Sequence, residues 1–280
     1  MCIRDSLLII ETGVIALIAL GLGVIGALLM ASITIRPIRR LSGGVAVIRD
    51  TQDKSLLKDH QIQVGTHDEI GQLADTVNQM TQGLVKAAIA NKELVVGKEV
   101  QKMFIPLDTD PSGKKLTTGT AVDDKVDIFG YYEGAKGVSG DYFDFKRLDD
   151  KHYAIIKCDV AGKGVPAALI MIEVATIFLT YFRDWTFAKD GIKIDTLVYR
   201  INDMLEERGF KGRFAALTLC LLDTHTGRCI FCNAGDNIIH VWSEAHGKLE
   251  SVTLNSAPAA GVFPSDLVSM QSGFKQMGHT

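Results

Sequence analysis

The sequence lacks both a disulfide framework and an excess of basic residues. Its five cysteines are an odd number without regular spacing, which favours a reducing compartment for the soluble part. Cys229 and Cys232 form a C-x-x-C, but inside a predicted strand and without a partner pair, so we interpret both as ordinary cysteines. Lysine plus arginine number 30 against 33 acidic residues, a net charge of −3. Without a basic face we expect no nucleic-acid partner.

Charged residues are absent from one long segment near the start. Leu, Ile, Val, Ala and Gly dominate between Thr12 and Ile35, a run long enough to cross a bilayer core of about 30 Å as a helix. The run leads directly into the basic segment Arg36 to Arg40 rather than into a cleavage site. We therefore predict a transmembrane helix over residues 7–35, with the following part of the chain in the cytoplasm.

The two ends of the sequence are unusual. The first six residues, MCIRDS, read like the translation of a sequencing adapter, so we expect residues 1–6 to be non-native. The last residues, Gly278 to Thr280, show no capping or terminal pattern. We therefore expect the chain to be truncated at both ends.

Two segments with heptad spacing follow the apolar run. Pro37 opens the first, and D-E-I-G-Q-L at Asp68 opens the second, with a polar connector between them. The second helix keeps the heptad spacing from Ile70 through Leu94. Asn91 is the polar residue in this seam, and one such residue commonly fixes the register and favours a dimer. Arg36-Pro37, Leu41 and the D-E-I-G-Q-L motif resemble a HAMP domain, which we place at 36–88. The resemblance implies a signalling homodimer, and a coiled-coil spacer without switching stays as the alternative.

The seam loses its phase near Gly97. We assign residues 89–106 to a coiled-coil linker that Pro106 ends, and we interpret the phase change as a place for a switch. Pro, Ser, Gly, Thr and Asp crowd together in the next segment, which predicts an exposed loop over 107–125.

From residue 126 onward the pattern alternates with a period of two. It predicts strands, then a buried helix over Val165 to Trp185, an amphipathic helix over Asp195 to Arg208, and an antiparallel meander. Glu173 interrupts the first helix, which favours a core helix over a second membrane span. This order of elements indicates an α+β domain over 126–280.

Four motifs in this region carry a resemblance to a known family. They are GVSGDYFDF, CDVAGKGVPAALIM, FAALTLCLLDTHTGRCIFCNAGDN and PAAGVF. In this order they resemble the SpoIIE/RsbU-type serine phosphatases, a bacterial branch of the PP2C-like metal-dependent phosphatases. The resemblance implies a PP2C-like β-sandwich flanked by helices in the cytoplasm beneath a bacterial inner membrane, with two Mn²⁺ or Mg²⁺ ions. By analogy, the substrate is a phosphorylated STAS-type anti-sigma-factor antagonist.

The residue types agree with metal chemistry. Hard cations select carboxylate and carbonyl oxygens. Carried over from the family, the metal ligands are Asp141, Asp159 and the backbone carbonyl of Val160, with Asp159 bridging. The residues expected to shape the site are Gly140, Gly162, Gly164, Asn233 and Gly235. For Asp144 we favour a surface acid at a strand end over a partner of the ligands.

The chain departs from the family pattern at three places. The family usually has histidine at the position of Lys163 and often at that of Asp236. A later T-D-G turn whose aspartate completes the family's metal site does not occur before Thr280. We therefore expect the chain alone to bind metals weakly and to be nearly inactive.

Two hypotheses of different classes follow. The first is a membrane-anchored phosphatase that removes phosphate from serine or threonine of a regulatory protein by means of a metal-activated water, under HAMP control. The second is a pseudophosphatase that acts as a dimeric signalling scaffold, which Lys163 and Asp236 favour. A HAMP-linked histidine kinase is set aside, because no histidine lies between Ile70 and Pro106.

Overall fold

The computed structural model describes residues 2–134, 137–210, 212–271 and 273–279, and the side chains of the first helix from residue 11 onward. Met1, the first of the six residues expected to be non-native, lies outside the described residues. The chain divides into two compact units, Met1–Glu93 and Leu94–Thr280.

The first unit begins with a helix that continues through Pro37. Helix α1 (Cys2–Met30) passes into α2 (Arg36–Asp50) through one π-helical turn, Ala31–Ile35. A proline removes one helical hydrogen bond and crowds the preceding turn, and a wider π-helical turn relieves that crowding. The structure thus differs from the predicted separate helices. Within the described residues, one helix, Glu11–Asp50, is long and apolar enough to cross a membrane by length and composition.

The connector of the first unit is held against the helix that follows it. A short 3₁₀ helix, Lys54–Leu57, begins the connector, and α3 spans Glu69–Lys102. The Asn78 side chain accepts a hydrogen bond from Ile62 N at 2.8 Å and donates one to Ile62 O at 3.0 Å. Lys92 Nζ lies 2.6 Å from Asp53 Oδ2. These contacts fix the connector along α3.

The predicted heptad positions of α3 are exposed in a single chain. Leu73, Met80 and Leu84 are 49%, 65% and 45% exposed, whereas Ala74 and Val85 on another face of the helix are buried. An apolar seam at heptad spacing is the type of surface that a second helix covers.

The second unit is built on one antiparallel sheet of five strands in the order β3-β4-β5-β6-β9. These strands are β3 (Asp141–Arg147), β4 (His152–Val160), β5 (Ala215–Asp223), β6 (Cys229–Ala234) and β9 (Met277–His279). β4 and β5 occupy central positions, in agreement with their nearly continuous apolar sequences.

Two further pairs of strands stand apart from this sheet. β1 (Thr118–Val122) pairs with β2 (Asp127–Tyr131), and β7 (Ile238–Ser243) pairs with β8 (Lys248–Thr253). The loop predicted over 107–125 is therefore wrong in part, because its second half forms β1. The predicted meander is interrupted, since β6 and β7 belong to different sheets.

Helices form the remaining layer of the second unit. They are α4 (Val165–Tyr181), α5 (Phe187–Asp190), α6 (Asp195–Glu207) and α7 (Ser265–Gln271). α4 packs against β3 and β4, and α6 packs against β6 and α4. Met171, Val174, Ala175 and Phe178 of α4 are completely buried. The prediction of a core helix is confirmed, although α4 ends at Tyr181 rather than at Trp185.

The PAAGVF motif is held beneath α6 by one buried amide. Asn202 is completely buried. It accepts a hydrogen bond from Gly261 N at 2.8 Å and donates to Phe263 O at 3.1 Å. Ala260 in turn exchanges two backbone hydrogen bonds of 2.9 Å with Ala215 at the start of β5. These bonds connect the motif to the central sheet.

Candidate metal-binding site

Two aspartates lie opposite each other at one edge of the central sheet. Asp141 is the first residue of β3, Asp159 is the last but one of β4, and the two are direct partners in the antiparallel register. Directly paired residues of such strands project to the same face, with Cβ atoms about 5 Å apart. The register therefore brings together two carboxylates that are 18 positions apart in the sequence.

The electrostatics of this pair favour a cation. Burial, and then the charge of Asp141, raise the pKa of Asp159. Ser139 Oγ donates a hydrogen bond of 2.6 Å to Asp141 Oδ2. A bound divalent cation removes the repulsion between the two carboxylates, and carboxylates are preferred ligands of hard cations. The donor set thus fits Mg²⁺ or Mn²⁺.

The predicted contribution of a backbone carbonyl depends on Gly140. A Cβ atom at this position would lie 2.6 Å from the carbonyl oxygen of Val160. Only glycine leaves room for such an approach, so Gly140 brings the carbonyl of Val160 and the start of β3 together. Val160 and Gly140 therefore lie beside the aspartate pair, and the binding of a metal by the Val160 carbonyl stays a prediction.

The turn after β4 is shaped by Gly162 and by a residue that the sequence motifs did not indicate. Gly162 has a φ of 99°, and a Cβ there would overlap the guanidinium of Arg213. Arg213 Nη1 donates a hydrogen bond of 2.9 Å to Ala161 O. The guanidinium of a residue 52 positions later in the chain thus fixes this turn. Gly164, with a φ of 72°, directly precedes α4.

The aspartate pair lines two cavities. The larger, of about 670 Å³, is also lined by Tyr132, Lys157 and Asp236. The smaller, of about 300 Å³, is also lined by the exposed Lys163. Both cavities thus combine acidic and basic side chains.

Asp236 is neutralised by a neighbouring lysine. Lys157 Nζ lies 2.8 Å from Asp236 Oδ2, and Thr218 Oγ1 donates to the same oxygen at 3.0 Å. Lys157 was not among the predicted site residues. It lies two positions before Asp159, on the same face of β4, so strand alternation was the signal that would have found it.

The remaining predicted residues divide. Gly235, with a φ of 75°, lines the larger cavity. Asn233 pairs with Thr218 in the sheet and is buried without lining either cavity. Its Nδ2 has no hydrogen-bond partner among the residues that the structure describes.

The interpretation of Asp144 as a surface acid is wrong. Asp144 is only 5% exposed and accepts a hydrogen bond of 2.7 Å from Tyr142 Oη. Burial raises the pKa of its carboxyl group. Because side chains alternate along a strand, Asp144 lies on the face of β3 opposite to Asp141. It belongs to the layer beneath α4 rather than to the aspartate pair.

The number of ligands in this part of the chain is small. Within the described ranges, no group of three or more His, Cys, Asp or Glu side chains is arranged to hold a metal ion. The aspartate pair supplies two carboxylates, and Glu133 and Asp236 also line the larger cavity.

Comparison with protein-family models gives one match in each part of the chain. The model of the HAMP domain matches residues 29–86, and the model of stage II sporulation protein E (SpoIIE) matches residues 149–275. The chain carries a HAMP domain and a SpoIIE domain. The resemblances to a HAMP domain and to the SpoIIE family that the motifs indicated are thus confirmed.

Two curated proteins and a solved structure illustrate the similarity. Phosphoserine phosphatase RsbP of Bacillus subtilis is 31% identical over 179 residues, which are 59% of this chain and 41% of RsbP. Protein IcfG of Synechocystis sp. is 24% identical over 233 residues, 73% of this chain and 35% of IcfG. The SiaA-PP2C domain of Pseudomonas aeruginosa superposes with a TM-score of 0.47 at 14% identity, covering 70% of this chain and 68% of that one. The chain thus spans less than half the length of either curated relative.

Proposed function

We propose that the protein is a membrane-anchored signalling phosphatase that hydrolyses phosphoserine or phosphothreonine on a regulatory protein. The observation that carries this proposal is the pairing of Asp141 with Asp159 across β3 and β4. Asp159 lies within the residues 149–275 that match the SpoIIE model, and β3 directly precedes them. The similarity to a phosphoserine phosphatase supports the choice of substrate. A STAS-type anti-sigma-factor antagonist is the class of protein we propose as the substrate.

The residues have the following proposed roles. Asp141, Asp159 and the carbonyl of Val160 would hold the cations. Two bound Mn²⁺ or Mg²⁺ ions would supply an activated water and neutralise the charge of the phosphoryl group. Lys163 provides a positive charge in the smaller cavity, where it attracts the phosphate. Arg213 keeps the turn after β4 in place by its hydrogen bond to Ala161 O.

Membrane anchoring and dimerisation complete the proposal. The apolar helix before the HAMP domain anchors the chain in the inner membrane, and the HAMP domain joins two copies and controls the phosphatase. The exposed heptad positions of α3 support a homodimer.

The experiment is phosphate release from a phosphoserine-containing antagonist protein by the complete gene product in detergent, as a function of Mn²⁺. We expect activity that requires the metal. Asp159→Asn should lower activity by at least the roughly 10–100-fold that is typical for the loss of groups around a metal. Asp150→Asn is the matched control, because the Asp150 side chain is fully exposed.

Two results would contradict the proposal. Activity that is insensitive to EDTA and to Asp159→Asn would exclude the metal assignment. Binding of the phosphoprotein without any phosphate release, in the presence of Mn²⁺, would instead support the scaffold hypothesis.

A further inference from the structure

Two cysteines lie beside each other on neighbouring strands of the central sheet. Cys220 of β5 pairs with Phe231 of β6, and Cys229, the first residue of β6, pairs with Leu222 of β5. Directly paired residues share a face of the sheet, and so do alternate residues of one strand. Cys220 and Cys229 are therefore diagonal neighbours on one face.

The two thiol groups are in contact. The Cys220 thiol donates a hydrogen bond to the sulfur of Cys229, and this bond lowers the pKa of Cys229 although burial opposes it. The same hydrogen bond, followed by burial, raises the pKa of Cys220. The thiolate, rather than the thiol, is the nucleophile in the reactions of cysteine. Cys229 is thus the attacking member of the pair, and Cys220 keeps its proton.

Cys229 is also the accessible member of the pair. Among the four cysteines whose side chains the structure describes, it is the one that is not buried. Its Sγ lies 4.0 Å from Gly227 O in the exposed turn between β5 and β6. Cys220 is 8% exposed and lines a cavity of about 310 Å³. A small reagent can therefore reach Cys229 with Cys220 beside it.

Cys232 provides an internal comparison. It lies in the same strand as Cys229 but three positions further along, and therefore on the opposite face. It is completely buried, and burial, followed by the charge of Asp195, raises its pKa to about 12. Cys232 is thus an ordinary buried cysteine, whereas Cys229, which the sequence led us to interpret in the same way, has a second thiol as its neighbour.

We propose that Cys220 and Cys229 form a peroxide-reactive pair, in which Cys229 attacks the peroxide and Cys220 converts the product into a disulfide between β5 and β6. Disulfides of proteins in a reducing compartment are usually transient and catalytic or redox-sensing. The inference goes beyond the proposed function and does not involve the candidate metal site.

The reaction has two steps. The sulfur of deprotonated Cys229 attacks one oxygen of hydrogen peroxide, so that an S–O bond forms and the O–O bond breaks. The leaving hydroxide takes up the proton that Cys229 released and becomes water, and Cys229 becomes a sulfenic acid. The sulfur of Cys220 then attacks the sulfenic sulfur, an S–S bond forms, and the hydroxyl group leaves with the Cys220 proton as a second water. Two thiols are oxidised and one peroxide is reduced.

The disulfide requires a local movement of the chain. A disulfide needs Cα atoms about 4.4–6.8 Å apart, whereas diagonal neighbours in a sheet are about 7–8 Å apart. The thiols are already hydrogen-bonded, and Cys229 begins β6 shortly after a turn. A shift of the start of β6 toward β5 therefore brings the two sulfurs to bonding distance.

The test is peptide mapping of the complete gene product in detergent after treatment with hydrogen peroxide. Trypsin cleaves after Arg213, Arg228 and Lys248, so that Cys220 and Cys229 fall into the separate peptides 214–228 and 229–248. We expect these peptides to be joined by a disulfide that a reductant reverses. Fragmentation of the joined peptides should assign the bond to Cys229 rather than to Cys232.

Two variants separate the steps of the reaction. Cys220→Ala should stop it at the sulfenic acid, which dimedone traps on Cys229. Cys229→Ala should abolish both the disulfide and the dimedone adduct. Cys232→Ala is the matched control, because it makes the same change in the same strand and should form the disulfide like the wild type. Thermal unfolding followed by circular dichroism shows whether each variant is folded.

The wild type gives a measurement that depends on no variant. Iodoacetamide should alkylate Cys229 on the order of tenfold faster than Cys232, because Cys229 is accessible and has the larger thiolate fraction. Equal alkylation rates in the folded protein, or oxidation by peroxide that leaves the two peptides unjoined, would overturn the proposed pair. Neither result touches the proposed function, which is instead tested by phosphate release that depends on Mn²⁺.

Discussion

At the residue scale, two aspartates three positions apart in β3 have opposite surroundings. Asp141 is exposed and lines both cavities, whereas Asp144 is buried beneath α4. The hydroxyl group of Tyr142 is the side-chain donor that Asp144 has in this layer. The hydrogen bond lowers the pKa of Asp144, but the larger effect of burial raises it. A raised pKa of an acid means that its charge opposes folding.

The buried environment of Asp144 predicts that Asp144→Asn changes stability in a pH-dependent way. The neutral form of Asp144 is favoured in the folded state, so its contribution to stability is fully present below the unfolded pKa of 3.8 and is lost as the pH rises through the folded pKa. Asparagine stays neutral and still accepts from Tyr142. We therefore expect the variant to be more stable than the wild type at pH 7, with the difference vanishing below the unfolded pKa.

The measurement is urea unfolding at several pH values between 3 and 8, followed by circular dichroism. Asp127→Asn, at an exposed position of β2, is the control, and we expect it to leave the free energy of unfolding nearly unchanged. A variant that is equally destabilised at all pH values would mean that asparagine disturbs the packing, and the electrostatic explanation would fail.

At the element scale, α4 packs against the sheet that carries both aspartates of the candidate site. Phe178 of α4 is completely buried, and its ring lies 6.4 Å from that of Tyr142 and 5.2 Å from that of Phe182. The interplanar angles of 79° and 65° are those of edge-to-face contacts. The helix thus contacts β3 on the face opposite to Asp141.

We expect Phe178→Ala to lower the free energy of unfolding by about 3–5 kcal/mol, because it removes a ring and leaves a cavity. Leu169→Ala on the same helix is the matched control, since Leu169 is 61% exposed, and should change stability by less than about 0.5 kcal/mol. Chemical unfolding of both variants gives the comparison. Equal losses would show that the face of α4 has been assigned incorrectly.

At the scale of the whole molecule, the chain divides into a unit with an apolar, exposed helical surface and a unit with a large core. The first unit leaves Leu73, Met80 and Leu84 uncovered. Covering them with a second copy is the arrangement that the heptad spacing predicts.

Cysteine cross-linking tests this arrangement. Met80→Cys lies in the seam, where two parallel helices bring equivalent residues within the Cα separation of about 4.4–6.8 Å that a disulfide needs. We expect rapid formation of a covalent dimer on oxidation in membranes. Asp75→Cys, on the same helix but outside the seam, should cross-link slowly, and the wild type gives the background of the native cysteines. Equal rates for the two variants would argue against the predicted seam.

Local patterns predicted much of this protein. The apolar run, the heptad spacing of α3 and the period-two strands follow from repeats within single segments, and the family models confirm the HAMP and SpoIIE assignments. The ordered motifs also led to Asp141 and Asp159, which the structure places opposite each other. Local periodicity predicts secondary structure because it shows which face of a helix or strand is apolar.

Other features depend on contacts between distant segments, and only the tertiary structure decided them. β1 lies in a polar segment and is a strand because β2 pairs with it. Asp144 is buried because α4 covers its face of β3, and Arg213 reaches Ala161 across 52 positions. Gln101 contacts Ser139 across 38 positions. The sequence by itself thus determined most of the elements and the motifs that contain Asp141 and Asp159. Long-range packing decided β1 and which polar groups meet, because partners far apart in the chain leave no local pattern.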